Sequence, residues 1–506
     1  MVIDQELRRL ALGTLLAAFP GPAAPPWARS LLADGLAGFT LFGGNVDAPE
    51  QLAALTADLR AVRADVVVAL DEEGGDVTRL AHRTGSPYPG NAALGAVDDP
   101  DLTRAVYAAI GADLVAAGVT LDLAPVVDVN TADDNPIIGT RSFGASTALV
   151  ARHAAAAVTG LQEAGVSACA KHFPGHGATV TDSHLELPTV DVPLSVLRER
   201  DLPPFAATVA AGAHAVMTAH IRVPALTGND PATFSRGALA LLRDLGFEGV
   251  IVTDALDMAG AGEITQAAVR SLAAGADLLC LGARVNGELV ETIAAEIVLA
   301  VRDGRLALSR LARAFSRTAG MASRAVAPGS PRDPDEGLGI GAARRALRVE
   351  GNPADLASPL VIQLVTTPSI AAGRVPWGLA PFLPASPPPA SPPLASPPLA
   401  SPPLASPPPA SPPPTAEQIE VVAASAGAAE LVARAGGRPI VVVGRRVHRL
   451  AVERALIEAL AAAVPVGVVE MGWPSSWRPA GVRAFVTTYG ASRASARVAA
   501  EVLGLI

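Results

Sequence analysis

Between about residues 35 and 285 the chain alternates short apolar, β-rich runs with alanine-rich amphipathic stretches. The strand-like runs are GFTLFG (38–43), DVVVALD (65–71), VTLDLAPVVDV (119–129), VSACAKHF (166–173), HAVMTAH (214–220), GVIVTDAL (249–256) and ADLLCLG (276–282). Helical periodicity falls between them at 50–63, 100–117, 146–164, 195–212 and 235–244. Asp99, Ser195 and Ser235 stand near three helix starts as N-caps, and Pro100 follows Asp99 at a first helical position, where its missing N–H costs nothing. Strands separated by helices must run parallel, because a helix-sized crossover returns the chain to the same end of the sheet. Seven such strands are visible and an eighth is not. The pattern fits an α/β fold of the (β/α)8 TIM-barrel type better than a doubly wound sheet, which expects a glycine-rich phosphate loop after its first strand. Here that strand ends in Gly43-Gly44-Asn45.

The 506 residues exceed one typical domain of roughly 100–200. We place the barrel at 1–327, with a last helix near 307–325, then a Pro/Gly/Asp-rich linker at 328–338. A smaller α/β sandwich-like domain follows at 339–506, with PLVIQLV, PIVVVGR, VPVGVVEM and AFVTTYG as strands and helices near 416–435, 447–463 and 491–504. It is interrupted at 385–414 by six five-residue units of ASPPP or ASPPL. Nothing in that insert can form a core, and its prolines favour an extended, disordered or semi-rigid spacer. A ligand for a proline-binding module is the other reading.

Composition removes several classes. With 39 basic and 48 acidic residues the net charge is −9, and no basic run exists to track a phosphate backbone, so nucleic acid is not expected as a partner. The opening MVIDQELRRLALGTLLAAFPGPAAPPW is neither a secretory signal nor a membrane span, which leads us to expect a cytoplasmic protein without membrane association. Cys169 and Cys280 lie in apolar runs and are expected as buried thiols without a disulfide.

Two counts locate the chemistry. Lys171 is the one lysine among 39 basic residues, and five of eight histidines (172, 176, 184, 214, 220) fall within 49 residues. In KHFPGHGATVTDSH, Lys171 and His172 end a strand, Pro174-Gly175 break the regular backbone, and a polar loop runs to Asp182-Ser183-His184. A carboxylate placed on an imidazole stabilises the charged ring and raises its pKa toward that of a neutral-pH proton donor, so Asp182 and His184 form a candidate acid/base unit. A surface tripeptide without a role is the plain alternative. Asp254 emerges from VIVTD at a strand end, as a carboxylate that can attack an electron-poor carbon or, alternatively, cap the next helix. Asp257 is expected in that helix's first turn. DEEGGDVTRL (71–80) sets Asp71 and two further acids before a Gly-Gly turn, with Arg79 downstream, which suits a hydroxyl-rich ligand, a metal or a solvated turn. NPIIGTRSFG (135–144) carries Arg141 as a surface residue or a substrate clamp.

With these motifs in order, together with GFTLFGGN, LDLAPVVDV, VMTAHI and PATFS, residues 5–325 resemble the family 3 glycoside hydrolases, specifically their β-N-acetylglucosaminidase (β-N-acetylhexosaminidase) branch. The resemblance implies Asp254 as nucleophile, His184 as general acid/base with Asp182 as its partner, and Asp71, Arg79, Arg141, Lys171 and His172 as ligands of the terminal sugar. It also implies a retaining double displacement without cofactor or metal. The substrate it implies is a small carbohydrate, an N-acetylglucosaminyl glycoside such as a muropeptide; protein partners are not readable. The C-terminal part resembles the family's second domain more weakly, and the proline insert departs from the family pattern. Three other readings stay open: phosphorolysis on the same site, because a histidine acid/base does not repel phosphate; a metal-dependent barrel hydrolase built on Lys171, His220 and Asp254; and a carbohydrate-binding scaffold without turnover.

Overall fold

A strand whose neighbours cover both its faces has to be apolar throughout, and the strands of the first unit are buried along their whole length. The computed structural model describes residues 2–181, 186–324, 326, 329, 332–383 and 417–506. The insert at 385–414 and residues 328, 330 and 331 of the expected linker lie outside the described residues. The strands are β1 (Leu15–Ala17), β2 (Gly38–Thr40), β3 (Val67–Leu70), β4 (Leu121–Asp122), β5 (Ser167–Phe173), β6 (Ala215–Thr218), β7 (Val250–Val252) and β8 (Leu279–Cys280). They form one parallel sheet in the order β7-β6-β5-β4-β3-β2-β1-β8. It closes on itself where Val252 at the end of β7 pairs with Leu278 beside β8. The result is the (β/α)8 barrel.

The strand that sequence reading missed is β1. Its run Leu15–Ala17 follows the helix Val2–Leu12 after two residues and merges with that helix's apolar pattern, and the prolines at 20, 22, 25 and 26 make the segment beyond it read as irregular. The helices lie close to expectation at Pro49–Val62, Pro100–Ala116, Thr147–Ala164, Arg236–Asp244 and Leu308–Ala322. Asp99 accepts from the N–H groups of Asp101 and Leu102, and Ser235 from that of Ala238, so both cap as expected. Ser195 does not. Its helix begins at Leu194 behind Pro193, and the expected 195–212 stretch is two helices, Leu194–Arg200 and Leu202–Ala210, with Pro203 and Pro204 in the first turn of the second.

Alternation along each strand separates two apolar layers. Leu16, Val67, Ala69, Cys169, Met217 and Val252 belong to the layer filling the barrel. Their neighbours Val68, Leu70, Ala168, Ala170 and Ile251 pack outward against the helices. Both cysteines are buried and free.

The second sheet comprises β9 (Arg348–Gly351), β10 (Leu360–Leu364), β11 (Glu417–Val421), β12 (Ile440–Gly444), β13 (Val466–Glu470) and β14 (Val482–Thr487), in the order β11-β10-β12-β13-β14-β9. All pairs are parallel except β9, which runs antiparallel to β14. Residues 417–421, expected at the start of a helix, instead add an edge strand to β10, and the helix covers Ala428–Ala435. Two further helices span Ala451–Ala463 and Arg493–Val502. By compactness the barrel unit comprises Met1–Leu347 together with Thr367–Trp377 and Thr488–Ser495, and the remaining described residues form the other unit. Among the described residues no helix is long and apolar enough to cross a membrane.

Candidate active site

The alternation that fills the barrel also aims its last side chains. Val67 and Ala69 point inward on β3, so Asp71 continues that row past the strand's carboxyl end; Cys169 leads in the same way to Lys171, and Val252 to Asp254. All three line a cavity of about 570 Å³ at the carboxyl ends of the strands. That is where TIM-barrel active sites form, and the volume lies within the ~300–1,000 Å³ usual for small-molecule sites. On β5 the register against β6 shifts between Ala170 and Phe173, and both Lys171 and its neighbour His172 line the cavity.

Lys171 is 1% exposed, and a buried ammonium needs compensating charge. Its Nζ lies 2.7 Å from Asp71 Oδ1 and 2.7 Å from Glu73 Oε1. Glu73 in turn receives Nε and Nη2 of Arg141, both at 2.8 Å, the planar fork that guanidinium offers a carboxylate. Burial opposes ionisation of Glu73, yet Arg141 and Lys171 outweigh it and hold the carboxyl well below its ordinary value. At Asp71 burial is likewise overcome by Lys171 and Arg79. The network stays ionised and presents cation and anion together, which suits the donors and acceptors of a polyol.

The DEEGG turn builds this arrangement. Gly74 and Gly75 have φ of +71° and +61°, and a Cβ on Gly75 would sit 2.5 Å from Gly90 Cα, so the turn tolerates no side chain there. It folds the chain back until Arg79 Nη2 reaches Asp71 Oδ2 at 3.4 Å. Within the same compact unit Arg79 also donates to the carbonyls of Ala371 at 2.7 Å and Ala372 at 3.3 Å. Glu72 points the other way, accepting from the N–H groups of Arg79 and Leu80, and burial raises its pKa to about 7.

Asp128 organises the next strand end. Its Oδ2 lies 2.7 Å from His172 Nδ1, and its Oδ1 accepts from the backbone N–H of His176 at 2.7 Å. His172 Nε2 lies 3.4 Å from Arg141 Nη2, which orients the ring between carboxylate and guanidinium. Asp254 Oδ1 accepts from the N–H of Ala255. No helix follows Asp254 directly; Asp257, expected in a first helical turn, lies in a loop and accepts from the N–H of Arg284.

The cavity therefore brings together Asp71, Arg79, Arg141, Lys171, His172 and Asp254. Asp182 and His184 lie outside the described residues. Glu73 and His176, which sequence reading did not select, line the same space. Glu73 carried a signal, since Asp71 and Glu73 are two apart and share a side, whereas residues 370 and 371 carried none. The Lys171–His220–Asp254 metal reading meets a different arrangement. Lys171 holds two carboxylates, and the ring nitrogens of His220 are engaged by Thr233 Oγ1 and Ala255 O. Among the described residues no group of three or more His, Cys, Asp or Glu side chains is placed to hold a metal ion.

Residues 23–320 match the glycosyl hydrolase family 3 N-terminal domain. A β-hexosaminidase A of Pseudoalteromonas piscicida is 34% identical over 315 residues, 56% of this chain and 52% of that one, so the chain spans about half of that relative's length. A β-hexosaminidase of Neisseria meningitidis serogroup B is 39% identical over 264 residues, covering 50% of this chain and 72% of its own. The solved structure of a family 3 β-N-acetylglucosaminidase from Paenibacillus sp. FPU-7 superposes with a TM-score of 0.84 at 30% identity, over 99% of this chain and 97% of that one. With the family domain matched over more than half of its length and laid on a closed barrel, the chain belongs to glycosyl hydrolase family 3.

Proposed function

We propose that the protein is a retaining, exo-acting β-N-acetylglucosaminidase that removes terminal N-acetylglucosamine from muropeptides or related glycosides. The observation that carries this reading is one cavity holding a strand-end carboxylate, Asp254, beside the Asp71–Lys171–Glu73–Arg141 network. The named activities of the P. piscicida, N. meningitidis and Paenibacillus proteins support the substrate class.

In this mechanism Asp71, Arg79, Lys171, Arg141 and His172 bind the hydroxyl and amide groups of the terminal sugar and hold its anomeric carbon against Asp254. A carboxylate oxygen of Asp254 bonds to that carbon as the glycosidic C–O bond breaks, and the departing oxygen takes a proton from His184. In the second half His184 removes a proton from water, the water oxygen bonds to the anomeric carbon, and Asp254 leaves as a carboxylate. Two displacements at one carbon restore the β configuration. Asp182 steadies the charged imidazole in the step where it holds the proton.

The test compares an aryl N-acetyl-β-glucosaminide with the matching aryl β-glucoside for the wild type and Asp254→Ala. The reading expects preference for the acetamido sugar, release of the β anomer, and loss of at least about a thousandfold in kcat for the variant. Preference for the glucoside would reject the sugar assignment. Undiminished turnover by Asp254→Ala would reject the nucleophile, and accumulation of sugar 1-phosphate in phosphate buffer would reject water as acceptor.

A further inference from the structure

His176 is 1% exposed and lines the cavity with Asp254 and His172. Its surroundings favour the tautomer with hydrogen on Nδ1. Nδ1 lies 2.7 Å from Thr179 Oγ1, and the single hydrogen of that hydroxyl is donated to the backbone carbonyl of His176 at 3.0 Å. The hydroxyl oxygen is left to accept from Nδ1–H, and in the neutral ring Nε2 is a bare lone pair. The ring is neutral at physiological pH, because burial and the neighbouring His172 lower its pKa to about 4.

Among the described residues that lone pair is buried and has no hydrogen-bond partner. Other buried histidines are provided for: His153 by Thr103 and Asp98, His172 by Asp128 and Arg141, His220 by Thr233 and the Ala255 carbonyl. A buried acceptor without a donor is costly, and native structures retain few of them, so each calls for a role or a partner. The ring is also held in place before any ligand arrives. Its backbone N–H is clamped by Asp128, its carbonyl accepts from Asn135 Nδ2 at 3.0 Å, and its Nδ1 is tied to Thr179. Asp128 thus positions two imidazoles, and one of them still offers an acceptor to the site.

We propose that His176 is a substrate-contacting residue whose Nε2 accepts a hydrogen bond from a donor on the bound amino sugar, either a ring hydroxyl or the N–H of its acetamido group. The inference rests on the amino-sugar reading of this site and adds a specificity contact to it. A site built around such an acceptor discriminates against a ligand lacking the donor, because both partners would then be desolvated for nothing.

The experiment pairs variants with substrate analogues. His176→Leu removes the acceptor at similar volume, and His176→Gln returns a carbonyl oxygen near the Nε2 position. Aryl N-acetyl-β-glucosaminides deoxygenated singly at C3, C4 or C6, and one with O-acetyl replacing the acetamido group at C2, each delete one donor. We expect His176→Leu to lose about tenfold in kcat/KM on the parent substrate and His176→Gln to recover part of it. One analogue should cost the wild type a similar factor while costing His176→Leu nothing more, and that analogue identifies the donor. A loss equal for every analogue, or kcat/KM of His176→Leu within twofold of wild type, overturns the contact. Nitrogen NMR of the wild type with N-acetylglucosamine adds a readout free of folding effects: Nε2 of His176 should move from the position of a free lone pair to that of a hydrogen-bonded one. Sugar binding without that movement also overturns the proposal. A wild type that neither turns over nor binds the amino sugar refutes the site reading itself, and this inference with it.

Discussion

Three consecutive acids, Asp71, Glu72 and Glu73, meet two opposite electrostatic fates because successive side chains leave the backbone on opposite sides. Asp71 and Glu73 turn toward Lys171 and are held ionised, while Glu72 turns behind the site and is pushed up to about 7. Glu73 is the hub, since its two oxygens serve both Arg141 and Lys171. Replacing it with Gln leaves two buried cations sharing Asp71, and breaking a buried pair from one side costs about 3–5 kcal/mol. Glu73→Gln should lower the unfolding free energy in urea by that amount and raise KM, because Lys171 and Arg141 lose the anchor that aims them. A stability loss under 1 kcal/mol would mean the network is solvated in a way its burial denies. The described site residues that sequence reading selected sit at strand ends or in the loops leading from them. Glu73 escaped although its two-residue spacing from Asp71 marked it, and His176 escaped because one histidine in KHFPGHG looks like the other until the path of the loop is known.

At the scale of elements the strand–helix alternation was readable wherever turn residues and helical stretches set a run apart. The three-residue β2 and β7 stood out between such boundaries, whereas the three-residue β1, merged with the apolar run of the helix before it, did not. Local rules also yielded to packing at β11, where residues near the expected helix start pair with β10 instead. The PGHG loop was legible as a break in regular structure, but the reason for its second glycine was not: a Cβ on Gly177 would lie 1.9 Å from the backbone oxygen of Val129. Gly177→Ala must therefore push the loop, which carries His176 and leads to the 182–185 segment, away from the end of the third expected strand run. We expect kcat to fall at least about tenfold, with a stability loss of about 1–3 kcal/mol from overpacking. Gly320→Ala is the matched control, since among the described residues nothing lies within 4 Å of its added Cβ and it sits inside the helix Leu308–Ala322. It should gain about 0.5–1 kcal/mol and leave turnover unchanged. Equal behaviour of the two variants in a thermal melt and in kcat would remove the steric argument.

For the molecule as a whole, the sequence offered no hint that Thr367–Trp377 belongs to the barrel's compact unit and supplies two carbonyls to Arg79, since those partners are nearly 300 positions away. Stability as a function of pH is another property of the whole, because every buried titrating group contributes through its difference between folded and unfolded chain. Burial raises Glu72 from 4.5 to about 7 and Asp113 from 3.8 to about 6. Between those limits the folded protein holds protons that the unfolded chain has released, so this part of the stability is complete at low pH and is lost as pH rises toward 7. His176 acts in the opposite sense, since lowering from 6.5 to about 4 makes the folded state gain stability as pH rises through that interval. The wild-type profile sums these opposing contributions, and a single substitution separates them. Glu72→Gln keeps an oxygen for the N–H groups of Arg79 and Leu80 and cannot ionise. Its stability relative to wild type should therefore climb between pH 4 and pH 8 by about 3 kcal/mol, the equivalent of the Glu72 shift. Urea unfolding of both proteins at half-unit pH steps measures that difference directly. A flat difference across the interval would show that Glu72 ionises as freely in the fold as in the open chain, and that its burial behind the active-site turn is not maintained in solution.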